Sequence, residues 1–138
     1  MTSAAALSPI AVLLTRLTRV EGVVAAALTT ADGLPVASTG QTAPPELAEL
    51  RSATIAAIFG AVDRALPGLA LGKVHAATIE TTTYSVYLCG LGDLVLSAIA
   101  ERSAERNAVR GELARVADVL SRIQRTPKGT SWSRHSSS

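Results

Sequence analysis

Residues 23–37 read Val23-Val24-Ala25-Ala26-Ala27-Leu28-Thr29-Thr30-Ala31-Asp32-Gly33-Leu34-Pro35-Val36-Ala37. An apolar run with no charge, an Ala-Asp-Gly break and a second short apolar run predict two strands, 23–30 and 34–38, joined as a hairpin. Gly33 supplies the positive φ that such a turn needs. Pro35 inside the second strand places that strand at a sheet edge, because proline has no N–H to give to a neighbour.

Before the hairpin, Ser8-Pro9 predicts a helix start, with the hydroxyl as cap and the proline where an N–H would go unpaired. Ile10, Leu13, Leu14, Leu17 and Val20 then recur on one face of a helix ending near Val20. After it, the proline-containing stretch 39–45 is a loop, and Glu46 and Glu49 favour the N-terminus of a second helix that runs to about Leu66. Pro67-Gly68 is expected to stop it. Three more strands follow at about 74–80, 84–89 and 94–99, divided by Thr81-Thr82-Thr83 and by Gly90-Leu91-Gly92-Asp93. A third helix from about Ser103 to Gln124 shows Val109, Leu113, Val116, Leu120 and Ile123 at alternating four- and three-residue steps. The order α-β-β-α-β-β-β-α predicts an α+β fold, a five-stranded antiparallel sheet between helices, in one domain over residues 1–124.

Composition narrows the chemistry. The chain has 138 residues, 48% of them hydrophobic and 17% charged. Residues 1–124 hold 10 basic and 11 acidic side chains, whereas 125–138 hold 3 basic and none acidic, so the tail alone is basic. That serine-rich tail is too poor in apolar groups to pack and reads as disordered; Trp132 within it reads as a lone surface apolar residue. The single cysteine, Cys89, cannot form an internal disulfide, and the cytoplasm is the expected compartment. The first fifteen residues are uncharged and lack the basic segment of an export signal, and no run is long enough to span a membrane.

No residues look equipped for catalysis. His75 and His135 are the only histidines, one in an expected strand and one in the tail, so neither a metal set nor a histidine triad can be assembled. Cys89 reads as a buried structural thiol. No Walker loop or GxGxxG occurs, and Gly90-Leu91-Gly92-Asp93 links strands without opening a helix, so it is a turn and not a phosphate cradle. Asp32 is accounted for by its turn. Arg102, Arg106, Arg110 and Arg115 on the third helix are interleaved with Glu101, Glu105, Glu112 and Asp118, which speaks against nucleic acid. The expectation is a non-enzyme with no cofactor and no metal.

Function must then lie in surfaces, and the second helix is the unusual one. Leu47, Leu50, Thr54, Ile55, Ile58, Phe59, Ala61, Val62 and Leu66 spread over a wide arc, while Ala53, Ala56, Ala57 and Gly60 occupy the reverse side. A helix that is apolar or small nearly all round is covered on both sides. A single sheet covers one side, so the other is expected to meet the same helix of a second copy at Ala53, Ala56, Ala57 and Gly60.

The element order, Ala31-Asp32-Gly33-Leu34 at the first hairpin, Gly72 before the third strand and the Gly-Asp turn before the fifth together resemble the roadblock/dynein light chain domain family, in its bacterial, actinobacterial type. The resemblance covers residues 10–124. It implies a profilin-like layering and a homodimer whose second helices lie across a sheet made continuous through the third strands, bringing His75, Ala77 and Ile79 into the interface. It further implies a small Ras-like GTPase as partner, with a sensor-kinase-like protein as a further associate. Arg51, Ile55, Ile58, Phe59 and Val62 are the expected contacts, Arg51 being the candidate arginine for any effect on hydrolysis. Two other classes fit the residues: a small-ligand sensor binding in a cleft between the first or third helix and the sheet, and a dimerisation scaffold indifferent to nucleotide.

Overall fold

The computed structural model describes residues 2–41 and 43–124; the basic tail, with Trp132 and His135, lies outside them. The elements run α1 (Thr2–Thr18), β1 (Val23–Thr30), β2 (Pro35–Gly40), α2 (Pro45–Gly68), β3 (Ala76–Glu80), β4 (Tyr84–Leu91), β5 (Leu94–Glu101) and α3 (Arg106–Gln124). The five strands form one sheet in the order β2-β1-β5-β4-β3, every neighbouring pair antiparallel. The expected α+β architecture is therefore present in full, with β2 and β3 as its two edges.

Alternation along β1 and β5 gives the sheet two different faces. Ala26 and Leu28 of β1 stand opposite Ala98 and Leu96 of β5. With Tyr87, Cys89 and Leu91 of β4 they meet Leu13, Leu14 and Leu17 of α1 and Val109, Leu113, Val116 and Leu120 of α3. The reverse face carries α2, where a smaller cluster of Phe59, Leu88 and Val95 is flanked by Ile55, Val74, Ala77, Ile79 and Val86.

The strand ends shift by one or two residues, β2 running on to Gly40 where a loop was expected, and three helix boundaries differ from the sequence reading. The first helix does not start at Ser8-Pro9 but at Thr2, with Pro9 inside it; the helix-favouring run Ala4 to Leu7 outweighs the one backbone hydrogen bond that Pro9 cannot make. α2 continues through Pro67 to Gly68. α3 begins at Arg106, and Glu105 caps it by accepting hydrogen bonds from the N–H groups of Asn107 (3.3 Å) and Ala108 (2.8 Å).

The opening hairpin closes through Gly33, whose φ is +98°. Thr30 accepts the Gly33 N–H on its carbonyl at 2.9 Å and the Leu34 N–H on its hydroxyl at 2.9 Å. Beyond it, Leu28 pairs with Ala37 but Thr29 with Pro35, so Val36 is one residue extra on β2 and the edge is bulged there. The β4–β5 turn is tighter than expected, with Leu91 still paired to Leu94 and only Gly92-Asp93 between them.

Candidate interaction surface

α2 presents two stripes at helical spacing. Ser52, Ala56 and Phe59 are buried on the sheet side, with Ala48, Ile55, Val62 and Leu66 half-buried beside them. The Phe59 ring lies directly over Gly90 of β4. A Cβ on Gly90 would stand 2.6 Å from Phe59 Cζ, so only glycine permits this approach.

The opposite stripe is open. Leu47, Leu50 and Ile58 are 40%, 61% and 39% exposed, and Thr54, Ala57, Ala61 and Ala65 continue the same face. A row of exposed leucine and isoleucine on a helix whose other side already packs is the form of an interaction surface. Leu69 and Leu71, just after α2, are also exposed.

The β3 edge lies under α2, at the Phe59 cluster. Ala77 and Ile79 turn toward the α2 side, packed against the Phe59 cluster, and pair across to Leu88 and Val86. Among the described residues the sheet has no strand beyond β3, which leaves one row of backbone donors and acceptors for another chain. His75, exposed just before the strand, accepts the Gly90 N–H on its carbonyl at 3.2 Å.

A family model described as Roadblock/LC7 domain matches residues 9–100. The chain belongs to the Roadblock/LC7 domain family. Solved structures agree with this roadblock fold. A Roadblock/LC7 domain from Streptomyces avermitilis is 21% identical with a TM-score of 0.75, covering 83% of this chain and 96% of that one. MglB of Myxococcus xanthus is 20% identical with a TM-score of 0.78, covering 84% and 94%. Profilin IB of Acanthamoeba castellanii, at 19% identity and a TM-score of 0.54, covers 78% and 91%, in keeping with profilin-like layering. No curated protein sequence matches the chain significantly.

The roadblock domain distributes the expected contact residues over both sides of α2. Arg51 and Ile58 are exposed, Ile55 and Val62 are half-buried, and Phe59 is 8% exposed beneath the helix. Phe59 is thus corrected from a partner contact to a core residue. The small-residue stripe is also not one open face. Ala56 is buried on the sheet; Ala53 backs onto the opening hairpin, its Cα 3.0 Å from where a Gly33 Cβ would stand; and Arg64 Nη1 lies 3.2 Å from the equivalent point on Gly60. Of the four, only Ala57 lies on the outer stripe. Leu47 and Leu50 were legible as apolar but not as outward-facing, because alanine on every side of α2 leaves its periodicity without direction.

The charged groups form a mixed surface. Arg16 bonds Glu112 at 3.0 Å, tying α1 to α3, and Glu112 also holds Arg115 at 2.9 Å. Arg102 and Arg106 both pair with Glu80 of β3, and Arg122 with Asp118 at 2.7 Å. Cys89 is buried, its thiol pushed above the ordinary range by desolvation, which keeps it protonated and a poor nucleophile. Among the described residues no cluster of potential metal ligands occurs, and no helix is long and apolar enough to cross a membrane.

Proposed function

We propose that this roadblock domain works as a cytoplasmic homodimer that binds a small Ras-like GTPase and tunes or tethers it without catalysing a reaction itself. The observation that carries the reading is the outer stripe of α2, from Leu47 to Ala61, on the helix that packs over β3, an edge with no strand beyond it among the described residues. Pairing β3 with β3 of a second copy about a two-fold axis sets the two α2 helices side by side over one continuous sheet. Ala57 then falls at the helix contact, and His75, Ala77 and Ile79 at the strand contact. Arg51 and Ile58 are left to the partner. Arg51 has no carboxylate within 4.0 Å among the described residues, which suits a side chain reserved for an external anion. MglB, similar in fold, has been described in a tetrameric arrangement, and that protein's self-association supports the oligomeric half of the reading.

The test is a pull-down from source-cell lysate with the tagged full chain, a GTP analogue and GDP being added in parallel. Nucleotide-dependent recovery of a small GTPase is expected. Equal recovery in both states would leave a tether, and recovery of no GTPase from a chain that sediments as a dimer would overturn the partner. If Arg51→Ala leaves the recovered GTPase's hydrolysis unchanged, the arginine plays no part in it.

A further inference from the structure

The sheet under the first half of α2 is made of small side chains. Ala27 of β1 stands between Ser38 of β2 and Ser97 of β5, and Ala25 between Gly40 and Ile99. Above them α2 contributes Ser52 and Ile55, leaving a cavity of about 260 Å³ between helix and sheet. A cavity of roughly 150 Å³ holds benzene, so this one takes a single ring with one or two small substituents.

Three hydroxyls line the cavity from buried positions: Thr29, Ser52 and Ser97 are 1%, 6% and 2% exposed. Thr29 Oγ1 donates to Ser52 Oγ at 3.4 Å, and Ser97 Oγ donates to the Ala27 carbonyl at 3.4 Å. Both bonds are far longer than a good O–H···O contact. Each hydroxyl has a donor and two lone pairs, so much of their hydrogen-bonding capacity is unused. Arg51 also lines the site, exposed and without an intramolecular ion pair among the described residues.

These features select a ligand by size, polarity and charge. We infer that the cavity binds a small hydroxylated monocarboxylic acid. Its apolar body lies against Ala25, Ala27, Ile55 and Ile99, its hydroxyl meets the Thr29–Ser52–Ser97 group, and its carboxylate pairs with Arg51 at the mouth. A wholly apolar ligand would leave the spare donors and acceptors of three buried hydroxyls facing it without a bond, and a dianion would find a single cation among the described lining residues. The cavity lies on the α2 face, not between α1 or α3 and the sheet where a ligand cleft was expected, and it requires no GTPase.

Titrating the full-length protein with para-hydroxybenzoate, benzoate and methyl para-hydroxybenzoate, followed by amide NMR shifts, tests the assignment. Saturable shifts at Ala27, Ser52 and Ser97 are expected with para-hydroxybenzoate. Benzoate should bind about tenfold or more weakly, because it leaves the buried hydroxyls unmatched. Arg51→Gln should weaken the acid severalfold and leave the ester unchanged, and Ala27→Leu, which fills the cavity, should abolish binding. Absence of saturable binding by all three probes would mean a cavity holding water only and would overturn the inference. So would binding by a folded Ala27→Leu variant, or an equal effect of Arg51→Gln on acid and ester.

Discussion

The two faces of the sheet are packed on different terms. On the α1/α3 face seventeen buried residues form one cluster; on the α2 face the buried cluster has three. The first face is closed by two helices bearing leucine and valine. The second carries one helix that rests on Phe59 at its middle, bridges a cavity toward its N-terminus and leaves leucines outside. One face holds the fold, and the other is free to be shaped by what it meets.

The comparison breaks most visibly at Leu96, fully buried on the α1/α3 face. Leu96→Ala is expected to cost about 3–5 kcal/mol in urea unfolding. Phe59→Ala should cost about 3 kcal/mol, the low end for its size, since its cluster is small. If it costs more than Leu96→Ala, the ranking of the faces is wrong. Gly90→Ala, which drives a methyl into the Phe59 ring, should cost about 1–3 kcal/mol, and much less in a Phe59→Leu background, a coupling that a double-mutant cycle reads directly. Ile58→Ala should change the stability of the isolated chain by less than about 0.5 kcal/mol. The same change should lower recovery of the GTPase in the pull-down while leaving self-association by sedimentation unchanged, and a large loss of chain stability instead would place Ile58 in the core.

The smallest effect concerns pH. The raised Cys89 thiol keeps its proton when the unfolded chain releases its own, so stability is unaffected below about pH 9 and falls as pH rises beyond it. Cys89→Ala should flatten that part of the profile relative to the parent chain, and an unchanged slope would assign the alkaline loss to other groups.

The α1/α3 face was legible because α3 keeps a single stripe from Val109 to Leu120 opposite arginines, Ile123 of the expected stripe being exposed instead, and because apolar strands bounded by Gly-Asp turns specify neighbours by short connections. The edge position of β2 followed from Pro35 alone. What escaped was direction on α2. Alanine fits a core, a surface and a helix contact equally, so Ala53, Ala56, Ala57 and Gly60 looked like one stripe although the hairpin, the sheet and Arg64 each claim a different member. The cavity was illegible for a related reason: it is set by Ala27 lying between Ser38 and Ser97, residues that come together only through strand register.

The two ends of the sheet are unequal in what they allow. β2 begins at Pro35 and is bulged at Val36, so it offers a poor template for another strand, whereas β3 has neither feature. Among the described residues, strand pairing therefore has one open end, at β3. A building block with one open end pairs once and stops, so the β3–β3 pairing proposed above would end with two copies and would not run on into a fibre.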